Sequence, residues 1–200
     1  MKGIYEEIKK HRKTEHDINP IILNRWTSRA MSGESLSDTE IMPLFEAARW
    51  APSGMNNQLW RFVYAKRDTE YFNEFFDLLM DGNKVWCKNA SVLIILISRR
   101  NSYNDNRPQS SHSMEAGAAF QNLSIEGTSR NLIVNCLGGF DYAKAHKFLK
   151  LTDVWNVECM IAVGKKGTKE SLPEKLQQRE IPSSRKPLSE LVFEGRFKAD

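Results

Sequence analysis

The sequence is poor in cysteine, and the three it has, Cys87, Cys136 and Cys159, form no CxxC pair. An odd number of scattered cysteines argues against a disulfide framework or a structural zinc site, no metal site is expected, and a reducing compartment fits. A long apolar run is also missing. The longest, residues 92–97, is far too short to cross a bilayer, and residues 1–13 are charged without the apolar segment of a secretory leader. A soluble, cytoplasmic protein with no membrane partner is therefore expected. Internal repeats and low-complexity tracts are absent. The net charge of +4, from 29 basic and 25 acidic residues, is mild, and no long basic run is interleaved with aromatics. Nucleic-acid binding is thus not demanded, and a small anionic ligand fits equally well.

What is present suits one domain over residues 1–200, since 200 residues at 40% hydrophobic can build one sizeable core but not two comfortable ones. Residues 1–22 read as a charged N-terminal extension and residues 164–200 as a charged, weakly periodic C-terminal arm. Between them, Ser37 and Glu40 have capping-box spacing, and Ile41, Leu44, Phe45 and Ala48 recur at helical period, predicting a helix over 37–50. Residues 60–65 have the aromatic and β-branched content of a strand. A second helix is expected over 71–80, with Phe72, Phe75, Phe76 and Leu79 as its stripe, ended by Asp81-Gly82-Asn83. Residues 91–97 read as a mid-sheet strand covered on both faces. A polar surface excursion over 99–111 follows, then a closely packed helix over 113–132 with Asn131 as a left-handed cap. Asp141 is placed to cap a helix running to 149, and 157–163 read as a strand.

The joint between the first helix and strand is the most informative stretch. Pro52 stops the helix, and Ser53, Asn56, Asn57 and Gln58 gather hydroxyl and amide groups at one end of a packed layer. Such a joint is where a binding loop is expected, although its amides could simply satisfy their own backbone.

Four separated motifs occur in one register: Arg25-Trp26-Thr27-Ser28-Arg29, Pro52-Ser53 with Asn56, Gln58 and Trp60, Leu137-Gly138-Gly139-Phe140-Asp141, and Arg185-Lys186-Pro187-Leu188. In that order the chain resembles the FMN-dependent nitroreductase family from about residue 23 to 193. The resemblance implies an α+β fold with a mainly antiparallel central sheet flanked by helices, in an intertwined homodimer. It implies FMN as cofactor, NADH or NADPH as hydride donor, and ping-pong reduction of a nitroaromatic, a quinone or a related small conjugated acceptor. Arg25 and Arg185 then become the phosphate ligands, because guanidinium matches phosphate with paired donors. Trp26 belongs to the same motif, Thr27 adds a hydroxyl, and Arg29 sits near the pyrimidine of the ring, where a cation favours the reduced anion. Leu137, Gly138 and Gly139 line the flavin, with the backbone of Gly138 near N5 and no catalytic side chain required. Pro52, Ser53 and Asn56 reach the cofactor across the dimer interface, and Asn83 faces the pyrimidine. His11, His16, His112 and His146 are left to structural or solvated roles.

Relatives that use the same flavin for reductive dehalogenation or flavin oxidation, or that bind it without turnover, are the alternatives. The chain also departs from the family pattern. Leu59 replaces a frequent proline, Cys136 stands where proline is common and is expected to be a buried thiol, Asn131 replaces a glycine, and Ser183 stands where some members carry a lysine near the phosphate. The departures at Leu59, Cys136 and Ser183 bear on FMN affinity, although the loop at Leu59 keeps its polar groups.

Overall fold

The computed structural model describes residues 3–197; residues 1–2 of the expected extension and 198–200 of the expected arm lie outside the described residues. Its frame is a four-stranded sheet in the order β1-β2-β4-β3, where β1 is Trp60–Lys66, β2 Val92–Arg99, β3 Leu132–Leu137 and β4 Trp155–Lys165. Every neighbouring pair is antiparallel. Among the described residues eight α-helices accompany it: α1 Glu6–Lys9, α2 Pro20–Asn24, α3 Asp38–Arg49, α4 Tyr71–Phe76, α5 Asp81–Cys87, α6 His112–Ser129, α7 Tyr142–Phe148 and α8 Glu174–Gln177.

The continuous apolar run of β2 follows from its place. Leu93, Ile95 and Ile97 enter a core with Phe72, Phe75 and Trp86 on one face of the sheet, while Val92, Ile94 and Leu96 enter a second core with Ile41, Leu44, Ala119 and Leu123 on the other. Side chains of a strand alternate between faces, so a strand covered on both sides is apolar throughout. The small residues of α6 bring it close to the sheet: a Cβ on Gly127 would lie 2.4 Å from Val134 Cγ2. The N-terminus of α3 carries the expected capping pair, with the Ser37 N–H donating to Glu40 Oε2 at 2.9 Å.

Two elements differ from the sequence expectation. The helix foreseen over 71–80 ends at Phe76, and Asp81-Gly82-Asn83 begins α5 instead of terminating a helix. Tertiary pairing accounts for the break: the Met80 N–H donates to Gly139 O at 3.0 Å, Asp141 N–H donates to Leu78 O at 2.9 Å, and Leu79 bridges Phe140. Gly82 is tolerated because it falls in the first turn, where Asp81 also complements the helix dipole. The helix foreseen over 113–132 stops at Ser129, and Leu132-Ile133-Val134 opens β3. Asn131, at φ 59°, is the left-handed residue that turns one into the other.

A β-bulge completes the frame. Leu96 pairs with Cys159 and Ile97 with Val157, leaving Glu158 as the extra residue of β4. No helix among the described residues is long and apolar enough to cross a membrane.

Candidate functional site

Three segments distant in sequence meet at a basic cavity of about 610 Å³, lined by Arg12, Arg25, Arg185, Lys186, Gln121 and Leu188 among others. Arg25 follows directly on α2, whose start is fixed by Pro20 and by the Asn19 side chain accepting from Ile21 N–H at 3.1 Å. Arg12 donates to the carbonyls of Leu23 at 2.6 Å, Arg25 at 2.8 Å and Ser183 at 3.0 Å. Arg185 donates to Ser183 Oγ at 2.9 Å and Ser184 O at 2.8 Å. Among the described residues no carboxylate lies in salt-bridge range of these three guanidinium groups. Burial, with Arg185 and Arg25 nearby, pushes Arg12 down to about 10, and burial together with Arg185 lowers Arg25. Three cations held together against mutual repulsion, in a partly desolvated hollow, form a site that favours an anion.

Arg25 itself has extended backbone, at φ −70° and ψ 117°, as the chain leaves α2. Trp26 and Ser28 line a separate hollow of about 280 Å³ with Tyr5 and Asn131, so Trp26 is not brought to the basic cavity with Arg25. Thr27 is exposed. Glu180, a buried carboxylate from the C-terminal arm, accepts through Oε1 from Ser28 Oγ at 2.5 Å, Arg29 N–H at 2.6 Å and Ala30 N–H at 3.0 Å. Its Oε2 has no hydrogen-bond partner among the described residues and lies 3.7 Å from Arg29 NH1. Arg29 therefore has a counter-charge, whereas Arg25 and Arg185 have none among the described residues. Asn135 near the end of β3 donates to Ser28 O at 2.9 Å, which ties this stretch to the strand that leads into the glycine turn.

Gly138 and Gly139 follow β3, and Gly138 is exposed. Neither glycine N–H is taken up by another described residue. The turn is braced from below: Asn83 Nδ2 donates to Gly139 O at 2.9 Å and Trp86 Nε1 donates to Asn83 Oδ1 at 3.1 Å. Asn83 and the glycine turn thus meet. A Cβ on Gly139 would lie 2.4 Å from Asn83 Nδ2, and one on Gly138 would lie 3.3 Å from the Tyr142 hydroxyl. Leu137 is buried, and Asp141 caps α7 by accepting from Lys144 N–H at 2.9 Å. Gly138 does not line the basic cavity; the Asn135–Ser28 hydrogen bond ties the stretch after Arg25 to β3, which leads into the glycine turn.

Pro52, Ser53 and Asn56 lie elsewhere. Their loop precedes β1 and the glycine turn follows β3, at the same end of the sheet but on its two opposite edges. Three strand spacings separate those edges, roughly 14 Å. The loop is held by Glu115, whose Oε1 accepts from Gly54 N–H at 2.9 Å and Ser111 Oγ at 2.8 Å, and Ser53 Oγ accepts from Gln58 N–H at 3.0 Å. Met55, Asn56 and Gln58 all have left-handed backbone, at φ 51°, 55° and 49°. Such a concentration of uncommon conformations in non-glycine residues marks a loop shaped for something other than connection. Beside it Trp50, Met55 and Met114 are 72%, 88% and 74% exposed.

Sequence reasoning missed Arg12, Glu180 and Asn135, whose partners are remote in the chain. It also left His112 without partners, whereas His112 Nδ1 lies 2.7 Å from Ser98 Oγ and 3.5 Å from Glu158 Oε1. The bulge aims Glu158 at this cluster, where Ser113 Oγ donates to it at 2.8 Å. Cys136, expected to be a buried thiol, is exposed, and its hydrogen bond with Cys159 lowers its pKa. No group of three or more potential metal ligands occurs among the described residues.

Comparison with known proteins gives the geometry a context. A model described as the nitroreductase family matches residues 22–165. A crystal structure of an oxidoreductase containing FMN is similar at 38% identity and a TM-score of 0.90, covering 94% of this chain and 97% of that one. A nitroreductase-like protein in complex with FMN, from Desulfovibrio desulfuricans, is similar at 26% identity and a TM-score of 0.70, covering 91% of this chain and 100% of that one. A 15.4 kDa protein of Mycolicibacterium smegmatis is 30% identical over 129 residues, 64% of this chain and 85% of its own.

Proposed function

The chain belongs to the nitroreductase family, and on that premise we propose that it is an FMN-dependent oxidoreductase taking hydride from NADH or NADPH and passing it to a nitroaromatic, quinone or similar acceptor. The observation that carries this reading is the meeting of Arg25 and Arg185, with Arg12, around one cavity in which no carboxylate of the described residues lies in salt-bridge range of the three; Glu15, which also lines the cavity, accepts instead from Leu188 N–H at 2.9 Å. The donor set fits the cofactor: a phosphate of nearly two negative charges calls for several charge-assisted donors. FMN, when bound, supplies the redox chemistry itself.

The protein's own groups bind and orient. Arg25 and Arg185 hold the phosphate, and Thr27 adds a hydroxyl. Arg29 offers a cation to the pyrimidine side, moderated by Glu180 at 3.7 Å. The unclaimed N–H groups of Gly138 and Gly139, with Leu137 and Asn83, face the ring from a turn that admits close approach because it lacks side chains. Backbone donors fixed in place need no reorganisation when charge develops near them.

We further propose a homodimer in which Pro52, Ser53 and Asn56 of one chain serve the turn of the other. The separation of loop and turn on opposite edges of the sheet, three strand spacings or roughly 14 Å apart, supports it. The exposed Trp50, Met55 and Met114 beside the loop are apolar surface that an interface would cover. One domain over 1–200, with its extension and arm both contributing to the basic cavity, is part of the same reading.

Purified protein should be yellow, with flavin absorbance that bleaches on anaerobic addition of NADH or NADPH and returns with an acceptor. Binding without bleaching by either nucleotide would leave a flavin-binding protein of another activity, and colourless protein that takes up no FMN would end the proposal.

A further inference from the structure

We propose that Arg12, from the N-terminal extension, is a positioning residue that assembles the anion site by fastening the Arg25 segment to the C-terminal arm that carries Arg185. The inference rests on the flavin reading for its ligand but not for its geometry.

The placement of Arg12 is itself fixed. Ile8 of α1 is fully buried, and Arg12 N–H donates to Ile8 O at 2.9 Å. The buried Asn24 holds the extension from the other side, accepting from Tyr5 N–H at 2.9 Å and donating to Gly3 O at 3.0 Å. From that anchor the guanidinium of Arg12 spans two segments, with NH1 shared between Leu23 O and Arg25 O and Nε on Ser183 O. Ser183 is two residues from Arg185 and also accepts from it through Oγ. One planar group therefore sets the backbone positions from which both phosphate candidates project.

Packing alone does not require an arginine here. Its neighbours Arg25 and Arg185 repel it, and burial disfavours its charge. A cation kept in such company has a use when an anion arrives, since a dianion between the three groups turns repulsion into shared attraction. A planar fork with donors on several nitrogens can hold three carbonyls at once, which the single ammonium of lysine cannot do in the same geometry.

The test compares FMN with riboflavin, which has the same ring and ribityl chain but no phosphate, in wild type, Arg12→Met and Arg12→Lys. Dissociation constants are read from flavin fluorescence, and apo-protein melting checks folding. In Arg12→Met, FMN should bind roughly 10- to 100-fold more weakly, the loss expected for disturbed charge-assisted phosphate contacts, while riboflavin changes less than about twofold. Arg12→Lys, keeping charge without the fork, should recover only part of the loss. An unchanged FMN-to-riboflavin ratio in Arg12→Met would make Arg12 a structural staple only, and full recovery in Arg12→Lys would reduce its role to charge; either overturns the assignment. Inorganic phosphate separates this from the flavin reading. If wild type takes up no flavin but phosphate raises its melting temperature, and Arg12→Met abolishes that rise, the flavin reading fails and Arg12 stands. If phosphate stabilises both forms equally, or neither, the assignment of Arg12 fails.

Discussion

Adding one methyl group at each of the two adjacent glycines of the turn should have opposite consequences. Neither Gly138 nor Gly139 has a left-handed backbone, so alanine is conformationally allowed at both and only the surroundings differ. At Gly139 the new Cβ would lie 2.4 Å from Asn83 Nδ2, which is held to Gly139 O at 2.9 Å, while Asn83 Oδ1 holds the indole N–H of buried Trp86. Moving Asn83 aside loses one hydrogen bond, about 1 kcal/mol, and leaves a buried donor short of its acceptor, about 1–3 kcal/mol more. A total of roughly 2–4 kcal/mol corresponds to a fall in Tm of about 4–16 °C for a chain of this size. At Gly138 the Cβ would meet only the hydroxyl end of the exposed Tyr142 at 3.3 Å, which can yield by a few tenths of an ångström. There the loss of unfolded-state freedom dominates, and Gly138→Ala should be neutral or stabilising by up to about 1 kcal/mol. Its cost appears instead in flavin affinity, because the methyl group stands beside the N–H that would face the ring. Thermal and urea melts of the two apo variants, with FMN titrations of both, make the comparison. Equal stability of the two variants, or a Gly138→Ala protein that binds FMN as tightly as wild type, would refute the geometry argued for this turn.

Arg25→Ala combined with Arg185→Ala should release FMN while leaving the fold intact; undiminished flavin content after gel filtration would contradict the phosphate assignment. Burial pushes the Glu158 carboxyl up, but hydrogen bonds from Ser98, Asn156 and Ser113 with His112 nearby outweigh it and leave its pKa lowered. The stabilisation from a lowered carboxyl is present above the ordinary carboxylate range and is lost as pH falls through the folded value. Glu158→Gln should therefore flatten the acid limb of stability against pH, as followed by urea melts, and an unaltered limb would remove Glu158 from that role. Native protein treated with an aromatic disulfide reagent should react first at exposed Cys136, whereas Cys87, buried and raised by desolvation, should react only on unfolding. Rapid native labelling at Cys87 by mass spectrometry would be the contrary result.

The parts of this fold legible in the sequence are those set by local pattern. Helix α3 with its Ser37–Glu40 cap, the doubly buried β2, the Asn131 turn and the Asp141 cap were all written in neighbouring residues. The missed pieces were decided at long range. Helix α4 is cut short by pairing with the glycine turn, and β3 was hidden because Leu132 continues the apolar pattern of α6. The candidate site divides in the same way. Arg25 and Arg185 were found by register, but Arg12 lies in a run of basic residues where nothing local distinguishes the one whose partners are Leu23, Arg25 and Ser183. Ser183 reads in the sequence as a lost cation, whereas in the fold its carbonyl and hydroxyl hold two cations in place. Glu180 gave no signal, since a glutamate in a charged arm looks solvated until the three donors around it are seen.

The placement of loop and turn on opposite edges of one sheet has a genetic corollary. On the proposed two-fold pairing each pocket draws the loop from one polypeptide and the turn from the other, so a lesion in either spoils both pockets of a uniform pair. Co-expressing an Asn56 variant with a Gly138 variant would then yield hybrid pairs in which one pocket inherits both defects and its twin inherits none. Two inactive parents would complement each other, giving hybrids with about half the wild-type complement of working pockets.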